Sequence, residues 1–160
     1  MKYIRLTKEQ FEALHEEFAR FLATQSITAD EWTKLKEEKP DLAEAELDLF
    51  SDLVWEGVLQ KAEYVEKIEP RNLYLFKFEE SEIQLIAIRV LEPERDITTD
   101  EDFEWLMDNY LEDSVELFQA SKGYSEDRHS DIFGMVKMGG VISNGEWYNF
   151  FDSVISSEES

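Results

Sequence analysis

The chain has 160 residues, of which 42% are hydrophobic and 13% aromatic, with only 6 Gly and 3 Pro. This composition excludes a disordered or collagen-like chain, because enough apolar material is present to offset the entropy of ordering. Lys and Arg number 16 against 38 Asp and Glu, which leaves a formal net charge of −22 at pH 7. Such a charge repels phosphate groups, so neither direct nucleic-acid binding nor binding to an anionic membrane is expected. The absence of Cys excludes disulfides, thiolate metal sites and cysteine nucleophiles.

The N-terminal part of the sequence predicts three helices. Thr7-Lys8-Glu9-Gln10 is a capping box, and it opens a helix with apolar residues at helical spacing to about Thr24. Thr28-Ala29-Asp30-Glu31 repeats this signal for a second helix that stops at Pro40. A third helix is predicted over 41–62, and its wide apolar arc is typical of a mostly buried helix.

The middle of the sequence predicts strands. Residues 64–68, 73–78 and 83–91 are short runs rich in β-branched and aromatic residues, separated by polar turn segments. We expect them to form a three-stranded antiparallel meander. A long helix is predicted next, from about Asp100 to Ser121, because apolar residues again recur at helical spacing.

The last quarter of the sequence gives weaker signals. Residues 125–137 indicate a helix, 141–143 an edge strand and 147–155 a final helix, with 156–160 as a frayed acidic tail. The expected fold class is α+β, with the helices packed on one face of the small sheet. No linker divides the chain, so residues 1–155 are expected to form a single domain.

Two segments carry a resemblance to a known group of proteins. Thr28-Ala29-Asp30-Glu31-Trp32 and the segment 49–56, Leu-Phe-Ser-Asp-Leu-Val-Trp-Glu, resemble an uncharacterised bacterial domain-of-unknown-function family of small acidic cytoplasmic proteins. The resemblance implies a cytoplasmic bacterial protein, and it supplies no site residues. The N-terminal segment is also too polar for a signal sequence, so a cytoplasmic location is expected.

One histidine has a neighbourhood that a metal site could use. His129 stands between Asp127 and Asp131, and in an extended chain all three side chains would lie on one face. On a helix, which the sequence favours here, the three side chains diverge. They are therefore weak candidates for metal ligands, and the sequence indicates no catalytic residue and no cofactor.

Two rows of acidic residues lack the basic residues that usually relieve such rows. The third predicted helix has acids four residues apart and no base between Lys39 and Lys61, namely Glu44, Asp48, Asp52 and Glu56. The predicted long helix has the same pattern, with no base from Asp96 to Ser121, namely Glu104, Asp108, Glu112 and Glu116. Like charges at this spacing cost a helix about 0.2–0.5 kcal/mol per pair, so each row costs about 1 kcal/mol.

A tryptophan lies beside each row on a helical wheel, away from the main apolar arc: Trp55 in the first and Trp105 in the second. Two interpretations stay open. Either the indoles pack under a neighbouring element and the acids keep the protein soluble, or each row is a docking surface. In a docking surface the carboxylates would attract a basic protein partner, and the indole would be buried at the contact.

The docking interpretation leads to the preferred hypothesis, a non-enzymatic binding or regulatory module that engages a basic protein partner through these acidic helix faces. Two alternatives remain. The acid rows could mimic the phosphates of a nucleic acid, or neutralise a basic toxin as an immunity-type inhibitor does. Otherwise, a metal-dependent hydrolase-like site could form around His129. The sequence does not fix the oligomeric state.

Overall fold

The computed structural model describes residues 2–159, and these form two compact units. The N-terminal unit ends at Gln60 and the C-terminal unit begins at Lys61. The expectation of a single domain over residues 1–155 stays a prediction. None of the helices described is long and apolar enough to cross a membrane.

The N-terminal unit consists of four helices, α1 (Lys8–Ala13), α2 (His15–Thr24), α3 (Ala29–Glu38) and α4 (Pro40–Lys61, whose last residue lies beyond the boundary). The predicted single helix over 7–24 is divided at Leu14, which ends α1 and precedes α2 with a non-helical backbone. The capping box at Thr7 is present as predicted. The core of this unit is formed by buried apolar side chains, namely Leu6, Phe21, Leu22 and Phe50.

The C-terminal unit is built on a five-stranded antiparallel sheet of order β4-β3-β2-β1-β5. The predicted meander is confirmed as its centre, formed by β1 (Tyr64–Glu69), β2 (Asn72–Phe78) and β3 (Glu82–Val90). Two further strands extend the meander at its edges, β4 (Val115–Gly123) and β5 (Val141–Ser143). The predicted edge strand over 141–143 is therefore confirmed, and it pairs with β1.

The long helix predicted over 100–121 is wrong. Helix α5 (Asp100–Asn109) ends at a turn, and the following residues form β4 instead. Val115 and Leu117 face the core on alternate positions of this strand, and β4 pairs with β3 along its whole length. A strand has period 2, yet Leu117 and Phe118 also fit the helical spacing that starts at Phe103. Pairing with β3, which is distant in the sequence, decides in favour of the extended conformation of β4.

The helices lie around the sheet, whereas the sequence predicted them on one face of it. Helices α5 and α7 (Glu146–Glu159) pack on the face that carries Leu75 and Ile86. Val65 belongs to the opposite face, since its partner Phe76 alternates with Leu75. A Cβ added at Gly140, just after α6 (Arg128–Lys137), would lie 2.6 Å from Val65 Cγ1.

The C-terminal end of the chain is more regular than expected. Helix α7 continues through residues 156–159, which were predicted to fray, and Ser160 lies outside the described residues. Gly145, with φ +81°, precedes this helix. A Cβ at this position would lie 2.5 Å from the Tyr64 ring, so glycine is required both for the backbone conformation and for the close approach.

Candidate functional site

The acid row of α4 is present as a continuous flank of one helix. We use this name for Glu44, Asp48, Asp52 and Glu56, which all lie within Pro40–Lys61. Glu44 is exposed, whereas the other three are half-buried. The row is therefore partly covered along most of its length.

The cover is the N-terminal segment Lys2–Leu6, which we call the strap. Lys2 Nζ lies 2.8 Å from Glu56 Oε1, and Arg5 Nε lies 2.7 Å from Asp48 Oδ1. As the strap proceeds from Lys2 to Arg5, its partners move back along α4 from Glu56 to Asp48. The strap thus runs antiparallel to the helix and brings to the acid row the bases that its own sequence lacks.

Backbone groups of the strap are also bound. The Asp52 carboxylate accepts hydrogen bonds from the N–H groups of Lys2 and Tyr3, at 2.8 and 2.9 Å. Ser51, which is fully buried, accepts the Leu6 N–H at 3.0 Å and donates to the Leu47 carbonyl at 2.8 Å. Carboxylate and hydroxyl acceptors on α4 thereby position the strap through its main chain as well as through its charges.

The electrostatics of the strap follow from these contacts. Its hydrogen bond to Glu56 raises the pKa of Lys2, and the hydrogen bond to Asp48 raises the pKa of Arg5. Burial raises the pKa of Tyr3, and the bond that its hydroxyl donates to Glu56 at 2.7 Å acts in the same direction. Both bases therefore stay charged, and the Tyr3 hydroxyl stays protonated, throughout the physiological pH range.

Trp55 is a packing residue as well as a neighbour of the acid row. Its half-buried side chain packs against the core of the N-terminal unit, which includes Leu6 and Phe50. The ring centroids of Tyr3 and Trp55 lie 6.4 Å apart. The indole on which the docking hypothesis relied is thus partly covered.

The second predicted acid row does not exist as a helix face. Glu104 and Asp108 are exposed on α5, whereas Glu112 lies in the turn that follows and Glu116 on β4. Arg89 is the register partner of Glu116 on β3. The regular spacing of these four acids in the sequence therefore has no counterpart in space.

Trp105 is covered by an arginine from the segment before α5. Arg95 Cζ lies 4.1 Å from the centroid of the Trp105 ring, and the guanidinium pairs with Glu92 and Asp102 at 3.1 and 3.0 Å. The Asp96 N–H and the Arg95 guanidinium together lower the pKa of Asp102. Trp105 also packs against the core of the C-terminal unit, so its half-buried indole is partly covered.

The three residues considered for a metal site lie at the start of α6. Asp127 is the N-cap of α6 and accepts the Ser130 N–H at 2.9 Å, while Asp131 accepts the Ser125 N–H at 2.7 Å. His129 is half-buried on the first turn of the helix. Within residues 2–159 no group of three or more His, Asp or Glu side chains is arranged to hold a metal ion.

Sequence reasoning missed the bases that complete the site. Lys2, Arg5 and Arg95 stand outside the base-free segments and so were not connected with them. The one local signal was that the segment Lys2–Leu6 contains both basic residues and apolar or aromatic ones, which suits a segment lying between an acidic row and a core.

The model of a protein family described as "Family of unknown function (DUF6495)" matches residues 1–156. Neither the curated proteins nor the solved structures contain a match. The matched part covers nearly the whole sequence, and the chain therefore belongs to this family of unknown function, DUF6495.

Proposed function

We propose that the protein is a non-enzymatic binding module whose acid row on α4 recognises a basic segment of a partner protein. The observation that carries the proposal is that the row already holds such a segment, the strap. A ligand of the acid row would present the same groups as the strap. These are a lysine for Glu56, an arginine for Asp48 and two successive backbone N–H groups for Asp52.

The partial exposure of the contacts supports exchange between the strap and a partner. The side chains of Lys2 and Arg5 are 56% and 38% exposed, and ion pairs of this kind contribute only about 0–1 kcal/mol each. A basic segment can therefore compete for the same carboxylates, and the strap acts as an intramolecular competitor.

The phosphate-mimic alternative has less support. Of the two predicted acid rows, the one on α4 is retained as a helix flank, and Lys2 and Arg5 already neutralise two of its members. Hydrolase chemistry at His129 likewise has no supporting observation, since Asp127 caps α6 and Asp131 accepts the Ser125 N–H.

The test uses a fluorescent peptide of the strap sequence, Lys-Tyr-Ile-Arg-Leu, titrated into full-length protein and followed by anisotropy. In a strap-released variant, Lys2→Glu with Arg5→Glu, we expect saturable binding that is tighter than in the unaltered protein and weakens with salt. The control peptide Glu-Tyr-Ile-Glu-Leu should not bind.

Adding Asp48→Asn and Asp52→Asn to the strap-released variant should abolish peptide binding. Circular dichroism of each variant verifies that the helices are retained. Lack of saturable binding by the strap-released protein, or binding that the two Asn substitutions leave unchanged, would refute the proposal.

A further inference from the structure

Strand β4 forms a long open edge of the sheet. It pairs with β3 over all nine residues of Val115–Gly123, and no strand of residues 2–159 lies on its other side. Its residues from Phe118 onward are exposed, and Phe118 itself is 46% exposed. The opposite edge, β5, has only three residues. Native proteins usually protect long edges with Pro, bulges or several charges, but β4 has no Pro and its register is uninterrupted.

The hydrogen bonds around β4 show which of its residues direct their backbone N–H and C=O groups toward the open edge of the sheet. The Leu91 N–H donates to the Ser114 carbonyl at 2.8 Å, which continues the antiparallel register of β3 and β4. Hydrogen-bonded and non-hydrogen-bonded residue pairs alternate along an antiparallel pair of strands. The backbone groups of the even-numbered residues of β4 therefore bond to β3, and those of the odd-numbered residues point away from β3. Within the described chain, no partner is present for the N–H groups of Leu117, Gln119 and Ser121.

The sequence of this edge is complementary to itself. In a two-fold antiparallel pairing centred on Gln119, Glu116 lies opposite Lys122 of the second copy, and Phe118 lies opposite Ala120 of the second copy. These even-numbered pairs are the non-hydrogen-bonded ones, whose side chains approach most closely, at about 4.5 Å between Cα atoms. Each dimer would contain both contacts twice.

Other registers lose this complementarity. Moving the centre to Phe118 places Glu116 opposite Ala120 of the second copy, and moving it to Ala120 places Phe118 opposite Lys122 of the second copy. Among the two-fold pairings, only the one centred on Gln119 aligns the strand over its full length and joins opposite charges.

From this edge geometry and charge pattern we propose that β4 is a homodimerisation edge, at which two copies join their five-stranded sheets into one continuous antiparallel sheet. The occupant of the edge is a second copy of the chain. This assignment does not depend on the proposed function of the acid row, which lies in the N-terminal unit.

The first test measures the molar mass of the full chain by light scattering at 0.15 M salt, where the Debye length of about 8 Å screens the repulsion between two acidic copies. We expect a dimer for the unaltered protein and for Gln119→Ala. Gln119→Pro should be monomeric, because it removes an outward N–H at the centre of the pairing without removing a bond to β3.

Charge variants test the pairing without proline. Glu116→Lys and Lys122→Glu should each be monomeric, since like charges then face each other. Mixing the two variants should restore a dimer, because every facing pair becomes opposite again. Arg89 lies beside Glu116 on β3, so circular dichroism must show that Glu116→Lys remains folded. The Lys122→Glu variant has no such neighbour.

The chain contains no Cys, so a single introduced Cys can form a disulfide only with its copy in a second chain. Disulfide formation therefore reports the register of the pairing. Gln119→Cys brings two Cα atoms to about 5.5 Å across the two-fold axis, within the range for a disulfide. In Ser121→Cys the two Cα atoms are offset by four residues, about 13 Å along the strands, which is too far for a disulfide. We expect oxidation to crosslink the first variant and not the second. A monomeric unaltered protein, a mixture of charge variants that stays monomeric, or equal crosslinking of both cysteines would overturn the proposal.

Discussion

Arg5 and Asp48 form an ion pair of 2.7 Å between residues that are 43 positions apart in the chain. This pair connects the strap to the acid row. It shows why a helix with no base of its own beside the row is tolerated. The like-charge cost of about 1 kcal/mol along the row is offset by bases that arrive from outside the helix.

The energy of this ion pair is the first prediction. Arg5→Gln and Asp48→Asn should each lower the free energy of unfolding modestly, and the double variant should lose less than the sum. A double-mutant cycle by urea unfolding should give a coupling of about 0.2–1 kcal/mol, because both side chains are partly exposed. The coupling should shrink at 1 M salt. Strict additivity would show that the two charges do not interact in solution.

Ser51→Ala should destabilise the protein by about 1–3 kcal/mol, because it leaves the buried Leu6 N–H without its acceptor. Thermal unfolding measures the loss. The exposed Ser81→Ala is the matched control and should change little. Equal stability of the two variants would mean that the strap is not anchored at Ser51.

Two glycine substitutions should have opposite effects. Gly145→Ala should cost more than about 1 kcal/mol, since it combines a left-handed backbone with a clash against the Tyr64 ring. Gly134→Ala lies within α6 with no neighbour within 4 Å of the new Cβ, so it should stabilise by about 0.5–1 kcal/mol. Chemical unfolding of both variants checks the signs, and a stabilising Gly145→Ala would contradict the structure around this turn.

The pH dependence of stability should reveal Glu66. Burial raises the pKa of this carboxyl on β1, and the charge of Glu146 adds to the effect. The folded state therefore binds more protons than the unfolded state between the ordinary and the raised pKa, and stability falls as the pH rises through that window.

Removing the charge of Glu66 should remove this fall. Glu66→Gln should raise the melting temperature at pH 7, and the gain should disappear below the ordinary pKa of 4.5. The exposed Glu63→Gln is the control and should not reproduce the effect. A loss of stability in Glu66→Gln at pH 7 would show that the ionised carboxylate has a favourable partner.

Local sequence signals predicted the parts of the fold that local interactions determine. The capping residues Thr7 and Thr28 and the alternation in the meander suffice to find helices and strands near their true bounds. Strand β4 was misread as helix, because Leu117 and Phe118 continue the helical spacing of the residues before them. Its pairing with β3, up to 41 residues apart as between Glu82 and Gly123, is not encoded in any short window.

As with the fold, the parts of the candidate site that depend on local sequence were predictable. The row on α4 follows from spacing within one helix, so its position was correct. Its neutralisation depends on Lys2 and Arg5, and the cover of Trp105 depends on Arg95. These contacts join separate segments, and the composition of a helix cannot reveal which distant base will reach it.

We propose that the acid row binds a basic segment and that the strap occupies this place in the free protein. Hydrogen exchange of the Tyr3 and Leu6 amides, measured by NMR in the unaltered full-length protein, tests it most directly. We predict that a saturating amount of the Lys-Tyr-Ile-Arg-Leu peptide accelerates exchange at both amides, while the Glu-Tyr-Ile-Glu-Leu peptide does not. Unchanged protection of both amides in the presence of the basic peptide would contradict the account.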